Sequence, residues 1–291
     1  MFFGFVLFSA AMFVLFSFKE PKRGMYSQKD LTFILHKEKI EYRYQLTRET
    51  FRKTIIAPTN LIAFFEGIFT WLIMANTLYL IYPYIQYAPY NISPVMSSLF
   101  MTVFGVPGAI IGALTFGRLS DRLGAKNLKN RVLLIVASLF VILISVIMFF
   151  AIPLPSLRPD EGNTLSILLG YPMLWVLCVV IFILRAVIGI YNINQNPILQ
   201  AVNLPEAQGQ VMAFGQFLET ISMGLGPLIA CILLTANGGN YLLTSLFLCL
   251  LGLPGPILWL FALKTINKDH IRVQNILKER ANELQFSSFD R

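Results

Sequence analysis

Seven stretches of this chain are apolar for about the length of a membrane crossing, and this limits its fold more than any other feature. They cover 1–18, 55–82, 95–117, 132–152, 170–193, 208–234 and 241–263. A helix needs about 20 mostly apolar residues to cross a bilayer. Inside hydrocarbon every backbone N–H and C=O must be bonded within the chain, so runs of this kind become helices. Of the 291 residues, 56% are hydrophobic and 13% charged. That charged share is about half of what a soluble domain carries, and the mean hydropathy is +0.67. The expectation is an all-α polytopic membrane protein with about seven transmembrane helices. The first run lacks the basic start and small-residue cleavage site of a secretory leader, so it reads as a membrane helix. Pro58, Pro107 and Pro227 fall in or near spans, where neighbouring groups can satisfy the freed carbonyls.

The net charge of +8 is unevenly distributed. Segment 19–53 holds ten Lys and Arg residues, 116–131 five and 264–291 six, whereas 153–169 holds only Arg158. Basic connections stay in the cytoplasm. Alternation along seven spans then places 19–53, 118–131, 194–207 and the tail inside. The basic balance follows membrane topology, so nucleic acid is excluded as the partner it implies. The expected partner is the lipid bilayer, and the expected location the plasma membrane.

The chain divides into a first helix (1–18), a basic cytoplasmic linker (19–53), a six-helix bundle (54–264) and a cytoplasmic tail (265–291). In the linker, Leu31, Ile34, Leu35, Leu46 and Phe51 stand among many charges. This reads either as an amphipathic helix at the interface or as a solvated connector. Glu49 and Lys53 have the spacing of a favourable i,i+4 pair. The tail has Val273, Ile276, Leu277 and Leu284 at helical spacing. His36 and His270 read as surface residues. Cys178, Cys231 and Cys249 lie inside spans without metal-ligand spacing and read as buried thiols. There is no P-loop, HExxH or nucleophile elbow, so neither an ATP-driven pump nor an enzyme is expected, and no cofactor or metal.

Between the third and fourth runs, Gly117 to Lys126 reads GRLSDRLGAK. Gly117, Asp121, Arg122, Gly124 and Lys126 fit a pattern of G, three residues, D, R or K, one residue, G, one residue and a basic residue. This resembles the signature loop of the major facilitator superfamily of transporters, which sits in a basic cytoplasmic hairpin. GLGPLI at 224–229 is similar to a Gly-Pro helix motif of that superfamily, and KEPKRG after the first run resembles the start of its central linker. The resemblance implies the end of the family's sixth helix, the central linker and the C-terminal six-helix half. A competing placement makes 55–263 an N-terminal half. The linker, Asn196–Ile198 and Pro205–Glu206 also resemble the Spinster-like branch, which moves lysolipids and sphingoid lipids.

Physical reasons stand beside the resemblance. Gly108 and Gly112 form a GxxxG, with Gly105 nearby, and let the third span approach a neighbour closely. Gly117 and Gly124 are expected to permit a tight hairpin. Asp121 can bond the free N–H groups of a helix start and so act as a conformational latch. By family analogy its partner lies in the other half. The alternative is local pairing with Arg118, Arg122 or Lys126.

Glu66, Arg185 and Glu219 lie near the middle of spans, where each costs roughly 3 kcal/mol unpaired on insertion scales. Thr59, Glu66, Thr70 and Thr77 share one helical face; so do Arg185, Gly189, Asn192 and Asn196, and Gln216, Glu219 and Ser222. These faces are expected to line a cavity. Arg185 is expected to pair with one carboxylate, leaving the other as a proton site or substrate contact. The polar run 192–197 reads as closing the fifth span's last carbonyls, with substrate contact as the alternative. The candidate pathway is therefore Glu66, Thr70, Arg185, Asn192, Gln216 and Glu219.

The expected function is secondary transport of a small organic or amphipathic solute by alternating access, coupled to protons, this chain supplying one half. It would work with a missing N-terminal half or by self-association. The alternatives are a non-transporting membrane scaffold or receptor-like protein and an inert truncated fragment.

Overall fold

The computed structural model describes residues 2–17 and 44–289. Most of the linker, with Leu31, Ile34, Leu35 and His36, lies outside the described residues. The chain falls into two units, Thr47–Val273 and a second made of Met1–Leu46 with Gln274–Arg291. The second contains α1 (Phe2–Ser17), an apolar helix of 16 residues at the first predicted span. In that unit Tyr44 donates its hydroxyl to Glu283 Oε2 at 2.7 Å, and the Arg280 guanidinium lies 4.2 Å over the Tyr44 ring.

The unit Thr47–Val273 begins with α2 (Arg48–Ile55), capped by the Thr47 hydroxyl and carrying the expected Glu49–Lys53 pair at 2.7 Å. Then follow α3 (Pro58–Gln86), α4 (Pro94–Lys126), α5 (Leu128–Ala151), the short α6 (Leu165–Leu169), α7 (Pro172–Ala201) and α8 (Pro205–Ala236). The helices α9 (Tyr241–Gly252) and α10 (Pro254–Phe289) close the order. Among the described residues six spans are long and apolar enough to cross a membrane: α3, α4, α5, α7, α8 and Tyr241–Glu283, which joins α9 to α10. Among the described residues there is no strand. Several helices start with proline at their first turn, where its missing N–H costs nothing.

Helix ends differ from the apolar boundaries. The predicted loop 118–131 is almost entirely helical: α4 runs through its charges to Lys126, and only Asn127 breaks the chain before α5. Arg, Lys, Leu and Asp all continue a helix at little cost once it has left the bilayer core. The predicted loop 194–207 likewise shrinks to residues 202–204, because α7 runs past Pro197 to Ala201. Within α4, Met101–Gly105 winds as a π-turn two residues before Pro107, which has no N–H to continue the regular ladder. Cys231 is exposed, unlike Cys178 and Cys249.

Packing follows the small residues. Helix α3 lies along α8, and α7 lies against both α4 and α5. The α4–α7 contact is backbone on backbone: a Cβ added at Gly112 would sit 2.1 Å from the Ala186 carbonyl oxygen, and one at Gly108 2.5 Å from that of Phe182. This is the close approach expected of the GxxxG.

Polar groups at one end of the bundle are paired across helices. Asn60 and Asn203 exchange amide hydrogen bonds of 2.7 and 2.8 Å. Asp269 of α10 accepts from the Thr59 N–H at 3.1 Å and from its hydroxyl at 2.7 Å, which caps the start of α3. His270 Nδ1 lies 2.9 Å from the Ala201 carbonyl oxygen.

In the loop after α5, Glu161 accepts the Arg158 N–H at 2.9 Å and its guanidinium at 3.0 Å. These bonds, the backbone one foremost, hold the Glu161 carboxyl below its ordinary value of 4.5. A depressed carboxyl stabilises the loop above its unfolded value and stops doing so as pH falls through its folded value. Hydrogen exchange will therefore show the Arg158 amide protected at neutral pH and unprotected below that range; unchanged protection in acid would contradict the assignment. Gly112→Val will lower the stability of the detergent-solubilised protein by about 2 kcal/mol or more in thermal denaturation, because no rotamer clears the Ala186 carbonyl.

Candidate functional site

Three helices meet around Glu66. Its side chain is fully buried, and its two carboxyl oxygens are separately held. Thr70, one turn further along α3, donates to Oε1 at 2.5 Å, and Tyr191 of α7 donates to Oε2 at 3.1 Å. The Trp259 N–H of α10 faces the same carboxyl without closing a hydrogen bond. Among the described residues no cation is paired with it. It lines neither of the cavities described next.

Two cavities open beside this group. The first, about 200 Å³, lies among α3, α4 and α7, with Thr70, Trp71, Thr77, Met101, Arg185 and Asn192 in a mainly aliphatic wall. The second, about 210 Å³, lies among α3, α7 and α8 and is more polar, with Trp71, Asn192, Gln195, Asn196, Gln216 and Glu219. Trp71 and Asn192 belong to both walls. Glu219 accepts from the Gln195 amide at 3.2 Å and lies over α3, where a Cβ at Gly67 would be 3.1 Å from its Oε1. The Trp71 N–H faces it without closing a bond.

All six expected pathway residues therefore gather around α3 and α7, with Thr70 joining Glu66 to the first cavity. The expected Arg185–glutamate ion pair is absent. Axial height explains it. Glu66 meets α7 at Tyr191, six residues beyond Arg185, and Glu219 meets it at Gln195, ten residues beyond. At 1.5 Å per residue these offsets are about 9 and 15 Å. Arg185 instead lays its stem against the π-turn of α4, where a Cβ on Gly105 would be 3.3 Å from its Cγ.

The shared faces hold only in part. Thr70 and Thr77 line a cavity, but Thr59 caps α3 with Asp269. Gly189 packs on α4, 3.0 Å from the Ala109 carbonyl oxygen when a Cβ is added. Ser222 bonds its own helix at Leu218. The run 192–197 does not end a helix; it lies inside α7 and supplies three residues of the second cavity.

The family model described as Major Facilitator Superfamily matches residues 1–227 and, separately, 60–284. The chain belongs to this superfamily. It is a multi-pass integral membrane protein of a transporter family whose members are generally not enzymes. No curated protein and no solved structure matches it.

In this superfamily member the signature segment is an ordered corner. Asp121 pairs with Arg131 of α5 at 2.7 Å, rather than with Arg118, Arg122 or Lys126. Arg131 also donates to the Ser120 hydroxyl at 3.0 Å, and Ser120 is hydrogen-bonded to Asn194 of α7. Gly124 makes the room: a Cβ there would sit 2.3 Å from Arg131 Nε. Gly124 thus serves the arginine rather than a tight turn, and Gly117 is a helical residue touching only Ile193 at 3.9 Å. Arg122 and Lys126 make no ion pair among the described residues.

The roles of Arg131, Ser120 and Tyr191 were missed by sequence reasoning, and Gln195 entered only as part of the run 192–197. A polar residue on each helix at matching depth was the available signal, but it identifies pairs only once the helices are aligned. Arg131→Ala will cost about 2 kcal/mol, since a largely buried guanidinium leaves Ser120 and Asp121 without it. Asp121→Asn will cost under about 1 kcal/mol, as an exposed partner should. Gly124→Val will reproduce the larger loss in thermal denaturation; a neutral Gly124→Val would refute the placement of Arg131.

Proposed function

We propose that this chain works in secondary active transport of a small organic or amphipathic solute, by alternating access and coupled to protons through Glu66. The observation that carries this is the Glu66 carboxyl itself: enclosed among three spans, held by two hydroxyl donors and, among the described residues, paired with no cation. With a proton on it such a group costs far less inside a membrane than without one. Thr70 links it to a cavity large enough for a small solute, so loading the cavity and moving the proton can be coupled.

We further assign Thr47–Val273 to the C-terminal one of the superfamily's two six-helix halves, in the branch that the Spinster-like features of the sequence suggest. In that assignment a separate N-terminal half or a second copy completes the pathway. The bundle sits in the plasma membrane with the linker, the Gly117–Lys126 corner and the tail in the cytoplasm, as the basic residues there favour. Asp121 stays largely exposed while paired with Arg131, which leaves it able to accept from a helix start in the other half. That exchange of partners would be the latch between two states.

The test is proteoliposomes holding a trapped pH indicator, with the full chain and its partner half. Glu66→Gln will reduce solute-driven proton movement by at least about tenfold, in the range expected when a proton-transfer group is lost. Solute exchange, which needs no net proton movement, will continue. Proton movement equal to the unsubstituted protein would refute Glu66 as the coupling site.

A further inference from the structure

The two cavities share Trp71 and Asn192 but carry opposite charges at their far ends. Arg185 faces the aliphatic cavity and Glu219 the polar one, and among the described residues neither has an ion-pair partner. Each is an ionisable side chain inside a membrane bundle with no ion-pair partner among the described residues, and such side chains mark substrate or ion pathways. They do not meet: Glu219 of α8 bonds α7 at Gln195, ten residues beyond Arg185, an offset of roughly 15 Å before side-chain reach.

We propose that the two cavities form one elongated site for a dipolar solute. Its anionic group sits on the Arg185 guanidinium, its cationic group on the Glu219 carboxylate, and its apolar middle passes Trp71. This rests on the transporter reading above and adds the substrate class to it. A simple organic anion would leave Glu219 uncompensated, and a simple organic cation would leave Arg185 so. An α-amino acid carries both charges on neighbouring atoms and cannot reach both ends. The aliphatic wall around Arg185, with Leu78, Ile81, Leu184 and Ile188, suits a methylene chain joining the two charged ends. Glu66, which lines neither cavity, stays free for the proton. Charge neutrality of the bound solute would leave the proton as the charge that moves.

The full chain in lipid nanodiscs, with no pH gradient, is titrated with 8-aminooctanoate, octanoate, octylammonium and leucine, and binding is read by tryptophan fluorescence and equilibrium dialysis. The 8-aminooctanoate will bind about tenfold or more tighter than each of the other three, as one further satisfied charge of about 1.4 kcal/mol requires. Arg185→Gln will remove its advantage over octylammonium, and Glu219→Gln its advantage over octanoate. Arg185→Lys, which keeps the charge, will retain most of the preference and separates lost recognition from lost folding. The proposal is overturned if 8-aminooctanoate binds no tighter than octanoate or octylammonium, if leucine matches it, if none of the probes binds, or if both neutral substitutions leave the preference intact. Because no proton gradient is present, this selectivity can fail while Glu66-dependent coupling holds, and can hold while that coupling fails.

Discussion

A carboxyl group inside a lipid-embedded bundle has no water to turn to, and the handling of Glu66 shows what that constraint does to the rest of the molecule. Its two oxygens take one hydroxyl from their own helix and one from α7. The Tyr191 bond ties α7 to α3 at this height, while the Thr70 bond, made within α3, orients the carboxyl. With α7 set, Gly112 and Gly108 of α4 come to rest on its carbonyls, and Asn194 reaches the Ser120 hydroxyl. The same rule explains the reciprocal Asn60–Asn203 amides and the Asp269 cap on Thr59. Unpaired polar groups are expensive in hydrocarbon, so each pair also sets a register between two helices.

Two ionisable side chains beside the cavities, Arg185 and Glu219, have no ion-pair partner among the described residues, although the bundle contains both signs. Had they lain at one height they would have joined and locked α7 to α8. Their offset along α7 keeps them apart, and Trp71 and Asn192 stand between them as a neutral floor. The division of labour differs from a pair plus a spare carboxylate: one carboxyl is enclosed, while the other faces open space.

The fold was legible because runs of about twenty apolar residues admit few outcomes in a bilayer. Helix ends were less so. Hydropathy stops where lipid stops, near Gly117 and Ile193, whereas the helices continue through Arg118–Lys126 and Gln195–Ala201 on ordinary propensity. The site was legible in its charges, since Glu66, Arg185 and Glu219 stand out in any apolar run. Their partners were not, because Tyr191 and Trp259 look like the aromatic residues around them. Which glutamate meets which part of α7 depends on axial offset, and one sequence does not encode that visibly. Asp121 is a similar case: its cation lies ten positions ahead on the next helix, outside any i,i+4 search.

The cap that Asp269 places on α3 joins residues 210 positions apart. During synthesis the first turn of α3 emerges long before its acceptor exists. Until then its N–H groups must be served by interfacial water and lipid head groups. The start of α3 therefore gains this cap only after the rest of the bundle has been made. Closure of this end of the bundle is thus a late step, because it waits for a residue beyond the last apolar run.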